Sequence, residues 1–320
     1  MRLEIGYRMH FRYSEAVTES QNEVRVRPRD DDCQRVVSYR LTSQPPVPVL
    51  QTVDYWGTVV EHLGVRTPHS ELELVAEASV ETMPRVAPPG DTAVDAVRGD
   101  EFREAHFEML APSPHVQWRP DDVVARRSGA AAAGERTVGD AVTAVIDDVR
   151  AILAYRSGAT EIGVSLAELV EGGAGVCQDY AHLAIGMLRS VGIPARYVSG
   201  YLFAADETEL GGEAPDVVSV QTHAWVEAAV PGFGWWALDP TNGTSVGERH
   251  VVIGCGRDYG DVAPVRGAFV GSATADVDAE VVIGKSPAAD AEVYAPRHPR
   301  RPHPQQPDAA RWGHQQQQQQ

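Results

Sequence analysis

Three residues in this 320-residue chain are of the types that carry out nucleophilic acyl chemistry: Cys177, His223 and Asp239. The stretch from Cys177 to about Ser190 reads as a helix, which puts the thiol in its first turn. There it meets the positive end of the helix dipole and unbonded backbone N–H groups, both of which favour the thiolate, the attacking species. A lone cysteine is usually a small buried hydrophobe, so position alone does not decide its role. His223 lies in a period-two run, Thr222-His223-Ala224-Trp225-Val226-Glu227, and Asp239 in the next, Trp236-Ala237-Leu238-Asp239-Pro240. Pro231-Gly232-Phe233-Gly234 turns the chain between them and predicts an antiparallel hairpin. If Ala229 faces Trp235, Thr241 lies opposite His223, and Asp239 is its diagonal neighbour on the same face, turned toward the helix N-terminus. A loop shorter by one residue would send Asp239 to the other face. The chemistry needs all three types. Cysteine attacks a carbonyl carbon, histidine takes its proton and returns it to the leaving amine, and aspartate orients and stabilises the charged imidazole. The bland alternatives are a core histidine bonded to backbone and an aspartate capping the turn before Pro240.

The elements that must hold these residues are legible in outline. Leu3, Ile5, Tyr7, Met9 and Phe11 alternate with small or polar residues, as on one face of a strand. Short apolar runs separated by turn formers follow, such as Pro28 to Asp32 and Pro45-Pro46, and together they predict a β-sandwich over residues 1–88. A Pro-, Gly- and Asp-rich linker from about Val86 to Asp100 ends it. In Val138 to Leu153, apolar residues recur at three- and four-residue steps and predict a helix. Ser165 with Glu168 forms a capping box for a short second helix. Gly172 to Gly175 then breaks the chain before the Cys177 helix, which Gly192 and Pro194 end. Tyr180, Leu183, Ala184, Met187, Leu188 and Val191 form its expected buried stripe. Strands return from Ala195 to about Ile283, so the second unit is placed at 100–285. Residues 286–320, ending in six glutamines, lack the apolar content to pack and read as a disordered tail, with a solvated basic run from Arg297 to His303.

Composition excludes some classes. The net charge of -17 argues against binding a phosphate backbone, which requires clustered cations. Lys285 is the sole lysine. Cys33, Cys177 and Cys255 are odd in number and widely spaced, unlike a disulfide framework or a structural zinc site. With no apolar run long enough to span a bilayer and no signal-peptide pattern, the expectation is a soluble cytoplasmic protein without membrane or nucleic-acid partners. The sequence leaves the oligomeric state open.

Weaker candidates surround the three. Gln178, Asp179, Tyr180, Trp225 and Trp236 are candidates for the substrate pocket or for oxyanion support. The backbone N–H of Cys177 is the natural first oxyanion donor, with Gln178 a guess for the second. Asp179 and His182 invite a metal reading, but Cys177 to His182 is off the i, i+4 spacing that aligns ligands on a helix, so no metal and no cofactor is expected. Asp30-Asp31-Asp32 reads as a solvated turn, Cys33 and Cys255 as structural, and Asp258 and Tyr259 as residues that could approach the site.

Four motifs, Gly175 to Leu183 (G-V-C-Q-D-Y-A-H-L), Ile193 to Tyr201, Thr222 to Glu227 and Gly234 to Asn242, resemble the bacterial transglutaminase-like superfamily, in which many members are described as cysteine proteases. Asn22 to Asp32 and Asp54 to Gly57 resemble the β-rich domain that precedes this core, and Gly256 to Gly267 its closing region. The resemblance spans roughly Met1 to Ile283. It implies an α+β fold in which the β-sandwich is followed by a papain-like core, with the nucleophile at a helix N-terminus packed on an antiparallel sheet. It further implies Cys177 as nucleophile, His223 as base and Asp239 as orienting acid, acting on a peptide or protein amide through a thioester. Hydrolysis is favoured over amine transfer. Two other readings stand beside it: a binding module that keeps the fold without turnover, and a metal-dependent hydrolase.

Overall fold

Residues 1–204, 217–220 and 222–285 are described by the computed structural model. The expected disordered tail, 286–320, lies outside them. Alternation from Leu3 onward produces strand β1 (Arg2–Val17), in which Leu3, Ile5, Tyr7, Met9 and Phe11 are buried and the residues between them are not. Five strands follow: β2 (Glu19–Val24), β3 (Gln34–Gln44), β4 (Leu50–Val53), β5 (Val59–Val65) and β6 (His69–Thr82). They fall into two antiparallel sheets that bury one common apolar cluster, with Leu72, Leu74 and Val80 of β6 on one side and Val24, Leu63 and Val65 on the other. Period-two side chains from both sheets meet in one core, as expected for a sandwich.

The linker region carries a 3₁₀ turn at Val94–Arg98 and a short helix, α1 (Asp100–Ala105). A helical layer follows: α2 (Val123–Ala131), α3 (Val138–Ile152), α4 (Leu166–Gly172) and α5 (Cys177–Ser190). Thr137 caps α3, and the Ser165–Glu168 capping box opens α4, which Gly173 ends at φ 63°. Helix α2 escaped the sequence reading because its Arg-, Ser- and Gly-containing run has no clear apolar period. Helix α5 is not amphipathic in place. Every residue from Asp179 to Arg189 is buried, because α2, α3, α4 and the sheet enclose it on all sides. Two short strands, β7 (Ala154–Tyr155) and β8 (Ala174–Gly175), pair in parallel immediately before α5.

Six strands come next: β9 (Ala195–Leu202), β10 (Val217–Val220), β11 (His223–Val230), β12 (Gly234–Asp239), β13 (Thr244–Ser245) and β14 (His250–Gly256). Five of them form an antiparallel sheet in the order β13-β12-β11-β9-β14. Ala224, Val226, Ala228 and Leu238 on one face join the helical core, whereas Trp225, Ala237 and Val252 form a separate cluster on the other. After helix α6 (Tyr259–Val262) come β15 (Val265–Val270) and β16 (Ala275–Lys285). These two strands lead back from the second region, expected at 100–285, to the first, expected at 1–88. Strand β15 pairs with β2, and β16 runs along β1, with β10 on its far side. The late strands therefore complete both sheets of the N-terminal region. Without β16, one side of the sixteen-residue β1 would be left with unpaired backbone groups. Among the described residues, no helix is long and apolar enough to cross a membrane.

Candidate active site

The hairpin has the register on which the sequence argument depended: Ala229 pairs with Trp235, and Val226 with Leu238. His223 and Asp239 consequently share a face, and His223 Nε2 lies 2.7 Å from Asp239 Oδ2. That face lies opposite the one whose Ala224, Val226 and Leu238 pack into the helical core, and at its rim it meets the N-terminus of α5. His223 is the first residue of β11, and this rim position brings its imidazole close enough to Cys177 for the two side chains to interact. Asp239 occupies Nε2, so Nδ1 is the nitrogen left for the thiol.

Asp239 has no exposed surface. Its Oδ1 accepts the backbone N–H groups of Thr241 at 3.0 Å and Asn242 at 3.1 Å. Its Oδ2 accepts from His223, from the Asn242 side-chain amide at 2.7 Å, and from His250 Nε2 at 3.2 Å. Burial works against the carboxylate, but the bonds from His223 and His250, the nearby imidazolium and Asn242 together hold its pKa well below the usual range. For His223, burial alone would lower the pKa. The bonds to Asp239 and Cys177 outweigh it and raise the pKa to about 9, so the ring is an imidazolium at neutral pH.

Cys177 is the first residue of α5 and is partly exposed. The N-cap, Val176, has no polar side chain. Asp179 reaches back instead, accepting the Val176 N–H at 2.8 Å and the Thr160 hydroxyl at 2.5 Å. A Cβ on Gly175 would lie 2.7 Å from the Asp179 side chain, so glycine permits this tight approach. The β7–β8 pairing sets Tyr155 opposite Gly175, and this 58% exposed tyrosine lies near enough to Cys177 for the two to interact electrostatically.

The surrounding candidates fall in different places. Asp179 is buried and serves the helix cap, not a pocket. Tyr180 is buried, and its hydroxyl donates to the Leu153 carbonyl at 2.6 Å, inside the helical core. Trp225 is fully buried behind the two histidines, its ring centroid 6.1 Å from His223 and 5.3 Å from His250, and so cannot wall a substrate pocket. Trp236 packs against the helical core and borders a cleft of about 430 Å³ that contains none of the three candidate catalytic residues. Gln178 is partly exposed in the helix's first turn and remains available to substrate. Asp258 and Tyr259 bond to residues outside the triad. Asp258 accepts the His115 and Gly260 N–H groups, and the Tyr259 N–H donates to His182 Nε2 at 3.1 Å. Burial drives the His182 pKa down to about 3, leaving a neutral ring committed to that bond. In the acidic turn Asp30 and Asp32 are exposed, Asp30 accepts the Val36 N–H, and partly buried Asp31 pairs with Arg85 at 3.2 Å.

His250, Asn242 and Tyr155 were missed. Asn242 follows Asp239 closely, and an asparagine three residues beyond a buried carboxylate is a usable signal. His250 carried none, for its strand lies two places from β11. Among the described residues, His223, Asp239 and His250 are the group that could hold a metal. Their types suit zinc, but both rings direct an N–H at the same oxygen, and backbone donors hold that carboxylate in place. The arrangement surrounds an acceptor, not a space.

Residues 125–240 match the core of the transglutaminase-like superfamily, and residues 3–81 match the bacterial transglutaminase-like N-terminal region. An uncharacterized protein of Mycobacterium leprae is 33% identical over 88% of this chain and 98% of its own length. One from Mycobacterium tuberculosis is 31% identical over 88% of this chain and 91% of its own length. A crystal structure of a candidate cysteine protease from Cytophaga hutchinsonii superposes with a TM-score of 0.70 at 24% identity, covering 88% of this chain and 90% of that one. At that identity the likeness shows the fold.

Proposed function

Because the chain belongs to the bacterial transglutaminase-like superfamily, we propose that it is a thiol-dependent enzyme that breaks amide bonds of peptides or proteins through a thioester on Cys177. The observation that carries this is the buried pair beside a thiol: His223 bonds Asp239 at 2.7 Å, and the Cys177 side chain lies close enough to the same imidazole to help raise its pKa. A histidine placed only for packing needs neither a charged partner nor a thiol.

The reaction follows from the protonation state. Sγ of Cys177, its proton passed to His223, forms a bond to the amide carbonyl carbon as the carbonyl π electrons move to oxygen, and the amide N–H groups at the head of α5 receive the developing oxyanion. His223, already charged at neutral pH, gives its proton to the nitrogen as the C–N bond breaks, and the amine departs. A water then loses a proton to His223 and attacks the thioester, and the C–S bond breaks to release the acid. Asp239 keeps the ring oriented and its positive charge balanced in each half. Cys177 is partly exposed beside exposed Tyr155, so water can reach the thioester, and water is the acceptor we propose.

The test is a panel of peptide and simple amide substrates with mass spectrometry of the intact protein. An acyl adduct should appear on the Cys177 peptide and be absent, together with turnover, in Cys177→Ala. Undiminished turnover in that variant would contradict the proposal.

A further inference from the structure

His223 and His250 reach one carboxylate oxygen from strands that are not neighbours. His223 is on β11 and His250 on β14, with β9 between them. His223 pairs across to Gly200 of β9, and Val252 of β14 pairs with the same glycine from the other side. A Cβ at position 200 would collide with the Trp225 ring and the Val251 carbonyl oxygen. The missing side chain thus lets Trp225 tuck under β9 and lets the two imidazoles approach to 6.2 Å between centroids.

The bonds around His250 define its tautomer. The Gly247 backbone N–H, which can only donate, meets Nδ1 at 3.3 Å. Nδ1 is therefore the acceptor, and Nε2 carries the proton that goes to Asp239 Oδ2 at 3.2 Å. The ring is buried and stands edge-on to Trp225 at 79°. Nothing in the triad chemistry uses this residue, yet its N–H is directed at the oxygen on which His223 depends.

We propose that His250 is a positioning residue for the nucleophilic site, an inference that rests on reading Cys177 and His223 as the reacting pair. By donating to Asp239 Oδ2 it adds, on the side facing β14, a restraint to those from the Thr241 and Asn242 donors, so that the oxygen stays where the His223 Nε2–H needs it. It touches neither substrate nor thiol, and its effect reaches Cys177 only through Asp239 and His223. The residue does this through Nε2, while its Nδ1 faces the Gly247 N–H.

The test compares near-isosteric replacements. His250→Gln keeps an N–H for Asp239 and an oxygen for the Gly247 N–H. His250→Leu and His250→Phe keep bulk against Trp225 and lose the donor. The readout is the rate of Cys177 carbamidomethylation by iodoacetamide at pH 6, measured on the Cys177 peptide and needing no substrate. Whichever apolar variant melts as a folded protein should label about tenfold more slowly. His250→Gln should recover most of the wild-type rate, and with an active substrate the apolar loss should fall on kcat, leaving KM within about twofold. Equal rates in wild type and the apolar variant, or an equal loss in the Gln and apolar variants, would overturn the proposal. Failure of the underlying reading looks different: wild-type Cys177 would then label no faster than in His223→Ala.

Discussion

Asp239 accepts the Nε2 proton of His223 at 2.7 Å from a position with no exposed surface, and this pairing places the charge of the imidazole at neutral pH. A buried pair of this kind costs a great deal to break from one side, because the partner is left charged and unsolvated.

Replacing Asp239 with Asn should remove that balance. The amide cannot counter an imidazolium, and His223 should titrate well below its present value of about 9 when followed by NMR. Turnover should fall by about 10³- to 10⁴-fold, as expected when the orienting carboxylate of such a site is lost. Asp239→Ala should in addition lower stability by about 3 kcal/mol, measured by denaturant melts.

The same pairing makes stability depend on pH, with a defined sign. His223 rises from 6.5 to about 9 on folding, so its contribution is complete below 6.5 and is lost as pH rises through about 9. Asp239 is lowered from 3.8, so its contribution is complete above 3.8 and is lost as pH falls below it. The Tm difference between wild type and His223→Gln should therefore be largest between about pH 4 and 6.5 and shrink toward pH 9. A difference that grows above pH 7 would contradict this.

His182 should act in the opposite sense. Its folded pKa lies near 3, so below 6.5 the unfolded chain takes up a proton that the native protein does not. Between those values, His182 alone reduces stability by up to about 1.4 kcal/mol per pH unit. In His182→Gln, whose side-chain oxygen can still accept the Tyr259 N–H, the acid limb of a Tm-against-pH curve should be visibly shallower.

The turn before the nucleophile gives a stability test. Asp179→Ala removes the acceptor from the Val176 N–H and the Thr160 hydroxyl, and should cost about 1 kcal/mol in a denaturant melt. Its effect on KM should be small, because Asp179 is buried in the helix cap and does not line a pocket.

Local information reached far in this chain, and its limits are specific. The hairpin register followed from the alternation of two runs and the length between them, which is why His223 and Asp239 could be paired from sequence. The start of α5 at Cys177 and the Ser165–Glu168 box followed from glycines and capping residues near in sequence. What sequence did not reveal depended on distant contacts. His250 joins Asp239 only because β14 lies beside β9, and the return of β15 and β16 to the first sheets is a pairing across more than 240 residues. Trp225 and Tyr180 looked like pocket residues because aromatics near a nucleophile can be either wall or core. Burial decided for core in both.

The most direct measurement is competitive labelling of the three cysteines with iodoacetamide at pH 6, read peptide by peptide. Cys33 is an internal standard, since it is partly exposed like Cys177 and its thiol pKa is raised by burial. Cys177 should label well ahead of Cys33 and Cys255, and should lose that lead in His223→Ala. Labelling of Cys177 at the pace of Cys33, unchanged when His223 is removed, would contradict the assignment of Cys177 as the nucleophile.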